Sequence, residues 1–317
     1  MRIIPVILAG GFGKRLYPIS NIEKPKQFIP FLTNNISFFQ HTISRIRKAF
    51  KNKTIIIVCN KNHVSCIKEQ LSKLGETNFI LITENESKNT FCSLLLVLAY
   101  IKQKKIEVDE LFISNSDNFI EDDEKFIKNL KTAITVSFLK QKNILFGIQP
   151  TNANTNYGYI KISNNEQFNI FDDGVFAKVE KFTEKPDKQK AERFTKSNKY
   201  LWNSGHFIFN YNILLKDIQK YQLNSYEKYN KLKLIKINNK TYTPNKFFSN
   251  LDNLQIDKTI IEKSKNLLCC KADFDWCDIG SFEVIGQLII ARKIILPLQY
   301  SHLLKCNNNF LKTISTL

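Results

Sequence analysis

Five short runs rich in Ile, Val, Leu and Phe, separated by longer amphipathic stretches, limit what this chain can fold into more than any other feature. The runs fall at residues 3–9, 54–59, 79–83, 110–115 and 143–149. Between them SFFQHTISRIRKAF, NHVSCIKEQLSKLG, NTFCSLLLVLAYIKQKK and DDEKFIKNLKTAITVSFLK carry helical spacing, with Asn62 and Gly75 as end signals of the second. This is the signature of β-α units on a mainly parallel sheet, so the first half reads as an α/β, doubly wound unit. In such sheets ligands gather in the crevice beyond the carboxyl ends of the strands. AGGFGKRL follows the first strand, TENESKNT the third and SNSDNF the fourth, so all three face one crevice. Beyond residue 156 the pattern is less regular, with YGYIKI, FAKVEKF and GHFIFNY as strands. A helix is expected from Asp187, and more helix over 211–235 and 257–264. The Asn-rich pieces TNANTN and KINNK read as surface loops, too short to separate independent domains.

The stretch AGGFGKRLYPISNIEKPKQF, residues 9–28, asks for a bare backbone at Gly10, Gly11 and Gly13 and for cations at Lys14, Arg15 and Lys26. Glycine lets a backbone pass close to a ligand, and Arg and Lys supply countercharge, a combination that suits phosphate. A Walker loop would need Ser or Thr after the Gly13-Lys14 pair, where Arg15 stands. A dinucleotide fingerprint would place its third glycine at Leu16, and the next strand-like run ends at Asn60 without the acidic residue that holds a ribose. The bland alternative is a glycine turn between strand and helix with a solvated Lys-Arg pair.

The 317 residues, 43% of them hydrophobic, suffice for one large domain or two modest ones. No apolar run approaches the roughly 20 residues of a membrane helix, and the short, proline-interrupted IIPVILA after Arg2 reads as a first strand rather than a secretion signal. Seven cysteines without a C-x-x-C pair favour reduced thiols and a cytoplasmic setting, and four histidines without metal-site spacing give zinc no support. The net charge of +18 comes from lysines scattered over the whole chain, which argues against a specific nucleic-acid surface while favouring nucleotide substrates.

Carboxylates supply the rest of the chemistry. Asp117 ends the run LFISNSD at the crevice mouth, and Asp278 sits in DWCDIGSF before another helix. Together they could share one hard cation, since magnesium is usually held by one or two carboxylates plus phosphate oxygens. Either alone also reads as a turn cap. Glu184 and Lys185 precede Pro186, and if they end a strand, one could accept a hydroxyl hydrogen bond while the other holds an anion. In YLWNSGHFIF, Asn203 and Gly205 are a polar group and a close-approach point suited to a sugar, with Trp202 as packing support.

Taken in order, AGGFGKRLYPIS…KPKQF, ENESKNT, SNSDNFI, NYGYIKI, VEKFTEKPD, YLWNSGHFIFN, IDKTIIEKS and DWCDIGSF resemble the bacterial mannose-1-phosphate guanylyltransferases, a branch of the sugar nucleotidyltransferases, over about residues 2–285. The resemblance implies a Rossmann-like, doubly wound sheet, mainly parallel or mixed, of the GT-A-like nucleotidyltransferase type. It spans residues 1–292 as one large domain, with a nucleotide-binding half at 1–150 and a sugar-phosphate-binding half at 151–292. Residues 293–317 are expected to be a short divergent tail without an isomerase domain. The resemblance further implies Mg²⁺ as cofactor, GTP and mannose 1-phosphate as substrates, no membrane and no specific nucleic acid as partner, and it leaves room for a homodimer. Leu8, Gly10, Gly11, Gly13, Lys14, Arg15, Lys88, Asn89 and Thr90 would bind the nucleotide. Gly158, Glu184, Lys185, Asn203 and Gly205 would bind the sugar phosphate. Arg15, Lys26, Asp117, Lys185 and Asp278 would be catalytic, with Asp117 and Asp278 on the metal.

The chain departs from the family's usual pattern at Phe12, at Tyr17 for Trp, at Asn21 for Arg, at Lys88 for Arg and at Asn118 for His. Two alternatives follow. One is transfer to another sugar phosphate or from another base; the other is a catalytically impaired nucleotide-binding paralogue.

Overall fold

The computed structural model describes residues 1–11, 16–163, 169–171 and 174–297, and strand alternates with helix through its first half. That half comprises β1 (Ile3–Leu8), α1 (Phe38–Ala49), β2 (Ile55–Asn60), α2 (Val64–Lys73), β3 (Phe79–Glu84), α3 (Asn89–Lys104), β4 (Glu110–Asn115), β5 (Asn118–Phe119), α4 (Asp123–Lys140) and β6 (Asn143–Ile148). The second half adds β7 (Gly158–Ile162), β8 (Asn169–Phe171), β9 (Gly174–Glu184), α5 (Lys188–Thr195), β10 (Tyr200–Asn210), α6 (Tyr211–Tyr221) and α7 (Leu223–Lys231). It closes with β11 (Leu234–Lys236), β12 (Thr241–Pro244), a π-helical turn at Asp257–Ile261, β13 (Leu267–Lys271), β14 (Cys277–Asp278) and α8 (Phe282–Ile290).

One sheet runs in the order β11-β12-β3-β2-β1-β4-β10-β6-β13-β9-β7, with β8 beside β9. β3, β2, β1 and β4 are all parallel. Their interior is continuously apolar because both faces are covered: every residue of β2 is buried. Phe39, Ile43, Ile67, Leu71, Phe126 and Leu130 from α1, α2 and α4 fill one face, and α3, α6 and α7 fill the other. The doubly wound expectation therefore holds. β2 and β4 flank β1 on opposite sides, so the chain reverses its winding direction there, and a crevice opens beyond the carboxyl ends of β1 and β4. β10 is antiparallel to both β4 and β6, which joins the two halves into one sheet.

Local sequence explains the helix starts. Ser37 and Gln40 form a reciprocal capping box on α1. Asp122, Asp187 and Asn210 accept from the first-turn N–H groups of α4, α5 and α6. Two expectations need correction. The side chain of Asn60, rather than Asn62, caps the turn that leads into α2. The expected helix over 211–235 ends at Lys231, and Leu234 begins an edge strand paired with Pro244. The side chain of Gln103 donates to Leu234 O at 2.8 Å and accepts from Leu234 N at 2.8 Å, taking the groups that a longer helix would have used internally.

Glu110, fully buried, accepts from Ser137 Oγ at 2.7 Å and from Asn210 Nδ2 at 2.9 Å, tying β4, α4 and β10 together. Burial pushes its carboxyl up to about 7. Because the folded pKa lies above that of the unfolded chain, its contribution is fully present below about pH 4.5 and is lost as pH rises toward 7. Glu110→Gln should therefore gain on wild type by about 1–3 kcal/mol between pH 4.5 and 7.5. Urea midpoints across that range check it; a constant offset between the two proteins would contradict it.

Candidate functional site

Two polar cavities meet in the crevice. The first, about 230 Å³, is lined by Leu8, Gly10 and Gly11 after β1, by Glu84 at the end of β3, by Asn89, Thr90 and Ser93 of α3, and by Asn115, Ser116 and Asp117 after β4. The second, about 240 Å³, is lined by Asn115, Asp117 and Asn118 on one side and by Gly158, Glu184, Lys185, Asn203, Gly205, Asp257, Trp276 and Asp278 on the other. Asn115 and Asp117 belong to both.

Lys26 reaches this junction from a 3₁₀ turn, Lys26–Phe28, that begins after the extended Pro25. Phe28 is buried against Phe39 and His63, and its carbonyl accepts from Gln70 Nε2 at 2.8 Å, which anchors the turn. Lys26 Nζ lies 2.9 Å from Asp117 Oδ2, 3.3 Å from Asp278 Oδ1 and 2.6 Å from the carbonyl of Ile279. Its side chain is 5% exposed, against 32% for Asp117 and 19% for Asp278, so the amine is the dry member of the cluster. Asp278 arrives from far along the chain because β14 pairs with β5, placing Asp278 opposite Asn118. Next to Lys26, Gln27 Nε2 donates to Gly11 O at 2.7 Å and holds the glycine loop against the turn.

On the far wall of the second cavity, β9 ends at Glu184, and Lys185 follows with φ 47°, a left-handed conformation that non-glycine residues adopt at a cost. Lys185 Nζ lies 3.1 Å from Glu184 Oε1, and Glu262 Oε1 accepts from the Glu184 amide at 3.1 Å. Asn203 Nδ2 donates to Asp257 Oδ1 at 3.0 Å, while Asn203 Oδ1 accepts from Gly205 N at 3.3 Å. β10 slips register against β6 between Asn203 and Phe207, and Gly205 takes φ +76° within that bulge. A Cβ there would lie 2.4 Å from Asn115 Nδ2.

The structure thus gathers Leu8, Gly10, Gly11, Asn89 and Thr90 in the first cavity, and Gly158, Glu184, Lys185, Asn203 and Gly205 in the second, with Asp117 common to both and Lys26 and Asp278 beside it. Lys88 points elsewhere: its amine donates to Ser249 O at 2.8 Å and to Leu251 O at 2.7 Å. Gly13, Lys14 and Arg15 lie outside the described residues. Two carboxylates that sequence reasoning passed over face the cavities. Glu84 accepts from Ser93 Oγ at 2.5 Å, and burial pushes it up to about 7. Asp257 is pushed up to about 7 by burial and by the charge of Glu184. The rule that singles out Asp117, a carboxylate at the carboxyl end of a parallel strand, applies equally to Glu84. Asp257 lies within IDKTIIEKS, but an Asp before an apolar helical run reads first as a cap.

Two cavities that share Asn115 and Asp117 thus open at the switch point of a doubly wound α/β sheet. The chain belongs to the nucleotidyl transferase family, whose pattern matches residues 4–289. It is 30% identical over 303 residues to the mannose-1-phosphate guanylyltransferase of Escherichia coli, covering 90% of this chain and 61% of that protein. It is 32% identical over 296 residues to the alginate biosynthesis protein AlgA of Pseudomonas putida, covering 90% and 58%. The chain therefore spans about three fifths of the length of these curated relatives. Among solved structures, one described as the mannose-1-phosphate geranyltransferase of Thermus thermophilus superimposes with a TM-score of 0.75 at 20% identity, covering 91% of this chain and 79% of that one. One described as the mannose-6-phosphate isomerase of Helicobacter pylori gives 0.71 at 23% identity, covering 88% and 100%. Both share the fold.

Gly205→Ala is expected to destabilise the protein by about 2–3 kcal/mol, through the left-handed φ and the contact with Asn115. A urea titration measures it, and a loss below about 0.5 kcal/mol would show that Asn115 yields freely.

Proposed function

We propose that the chain transfers GMP from GTP to α-D-mannose 1-phosphate, giving GDP-mannose and pyrophosphate. The observation that carries this reading is the meeting of two polar cavities at Asp117, with Lys26 and Asp278 at the seam. The similarity to named mannose-1-phosphate guanylyltransferases supports the choice of sugar and base. In this reading the first cavity takes the nucleotide on Leu8, Gly10, Gly11, Asn89 and Thr90, joined by Gly13, Lys14 and Arg15 of the loop. The second takes the sugar phosphate, its hydroxyls on Glu184 and Asn203, its ring against Gly158 and Gly205, and its phosphate on Lys185. A division of labour near residue 150 is part of this reading, supported by a first cavity lined by residues 8–117 and a second whose far wall comes from residues 156–278.

The chemistry needs no protein nucleophile. A phosphate oxygen of the sugar phosphate attacks the α-phosphorus in line, and pyrophosphate leaves on the opposite side. At neutral pH that oxygen is already ionised, so the protein must align two polyanions and offset the charge that accumulates. Lys185 lowers repulsion on the attacking side, and Lys26 and Arg15 stabilise the transferred phosphoryl group. Asp117 and Asp278 fit Mg²⁺: two carboxylates, each part exposed at the cavity seam, leave the remaining coordination positions to substrate phosphates and water. When bound, the ion would supply Lewis-acid neutralisation of phosphate oxygens.

Purified protein supplied with GTP, mannose 1-phosphate and Mg²⁺ should form GDP-mannose. A panel of other nucleoside triphosphates and sugar phosphates, scored by pyrophosphate release, tests the choice of base and sugar, and tight GTP binding without turnover would reject the reading. Lys26→Ala or Asp278→Ala should lower kcat/KM roughly a hundredfold, about 3 kcal/mol of barrier, with far-UV circular dichroism unchanged. Lys185→Gln should raise KM for mannose 1-phosphate about tenfold and leave KM for GTP within about twofold, since one charge-assisted contact contributes about 1.5–3 kcal/mol. Wild-type kinetics in any of these variants would remove that residue from the mechanism.

A further inference from the structure

The amine of Lys26 stands in the wedge between the two carboxylates that the functional reading assigns to the divalent ion. An ion of magnesium size ligated by Asp117 and Asp278 needs each oxygen at about 2 Å. The amine contacts Asp117 Oδ2 at 2.9 Å and Asp278 Oδ1 at 3.3 Å, so it fills the space between the same two atoms. An ion that takes these same two oxygens would lie against the amine, and the repulsion between the two cations favours release of one of them.

Three features make departure of the side chain the easier course. First, the turn that carries Lys26 is fixed, since Pro25 precedes it, Phe28 is buried beneath it and Gln70 Nε2 holds the Phe28 carbonyl. The backbone stays, and only the four-carbon stem needs to swing. Second, the carbonyl of Ile279, 2.6 Å from the amine, is a neutral acceptor that the ion does not need, and it can keep one hydrogen bond while the amine turns. Third, Asp117 lines both cavities, so an amine released from it emerges at the border of the first, where the phosphates of a nucleotide would lie.

We propose that Lys26 and the divalent ion are exchangeable occupants of the Asp117–Asp278 pair, and that entry of the ion transfers the amine from the carboxylates to the phosphate being moved. Lys26 holds two like charges together until the ion replaces it, then becomes the cation that the reaction uses. The ion on its own must replace the amine's contacts with both carboxylates, so it binds weakly alone. A triphosphate gives that amine a partner. Metal and nucleotide therefore reinforce each other's binding through one side chain, and the coupling is reciprocal.

The inference rests on the assignment of Asp117 and Asp278 to the ion, and its test needs no turnover. Mn²⁺ binding to the whole protein, without nucleotide, is followed by electron paramagnetic resonance. Lys26→Met should bind Mn²⁺ at least tenfold more tightly than wild type, and the gain should vanish in the Lys26→Met, Asp278→Asn double variant. A second measurement on unaltered protein separates eviction from a general charge effect: acylation of Lys26 by an amine-specific reagent, read by peptide mass spectrometry, should rise at least threefold at saturating Mg²⁺. Equal Mn²⁺ affinity in wild type and Lys26→Met, a gain that persists in the double variant, or labelling of Lys26 that Mg²⁺ does not change would each overturn the proposal. A protein that passes these tests but makes no GDP-mannose would sink the functional reading and leave the exchange standing.

Discussion

Two carboxylates brought side by side in a half-dry crevice repel each other unless a cation lies between them, and the Asp117–Lys26–Asp278 cluster satisfies that requirement. Much of the architecture serves it. The parallel strand β4 delivers Asp117 to the crevice, the buried Phe28 fixes the turn that carries Lys26, and the short β5–β14 ribbon draws Asp278 back to the same point. Three segments far apart in the chain thus converge through one ion cluster. The family match spans residues 4–289, the cluster included.

The parts of the fold legible in the sequence are those with strong periodicity. β1 to β4 and β6 fall within a residue of the apolar runs, because strands buried on both faces must be continuously apolar. The four helices between them follow their amphipathic patterns closely. What escaped was mostly short or edge-bound, although β13, five residues between β6 and β9, was missed as well. β5 and β14 are two residues each, far below the length at which alternation shows, and their pairing depends on contact between distant segments. β11 lies at the sheet edge with mixed exposure, and the side chain of Gln103 fixes its backbone, so tertiary capture overrode local helical preference.

The site was legible for a different reason. Its residues are of types that strand ends and loops seldom gather without cause: glycines, a Pro-Lys turn, terminal aspartates and a Glu-Lys-Pro. Their chemistry pointed to one crevice before any geometry was available, and the cavities do collect most of them. Glu84 and Asp257 show the limit of that approach. Glu84 ends a parallel strand as Asp117 does and Asp257 lies in IDKTIIEKS, yet neither was given a role, and burial around each raises the cost of its charge. Lys88 shows the converse, a cation in a suggestive triplet whose amine is taken up by the carbonyls of a neighbouring loop.

The separate origin of the two cavity walls has a corollary for specificity. The first cavity is lined by residues before 118, whereas the far wall of the second is drawn from Asn156 to Asp278, and the two cavities share Asn115 and Asp117. Under the proposed transfer, substitutions in the later segment other than at Asp278 would act on the acceptor side alone, provided the two shared positions stay fixed. In that reading the scaffold separates the choice of acceptor from the choice of donor.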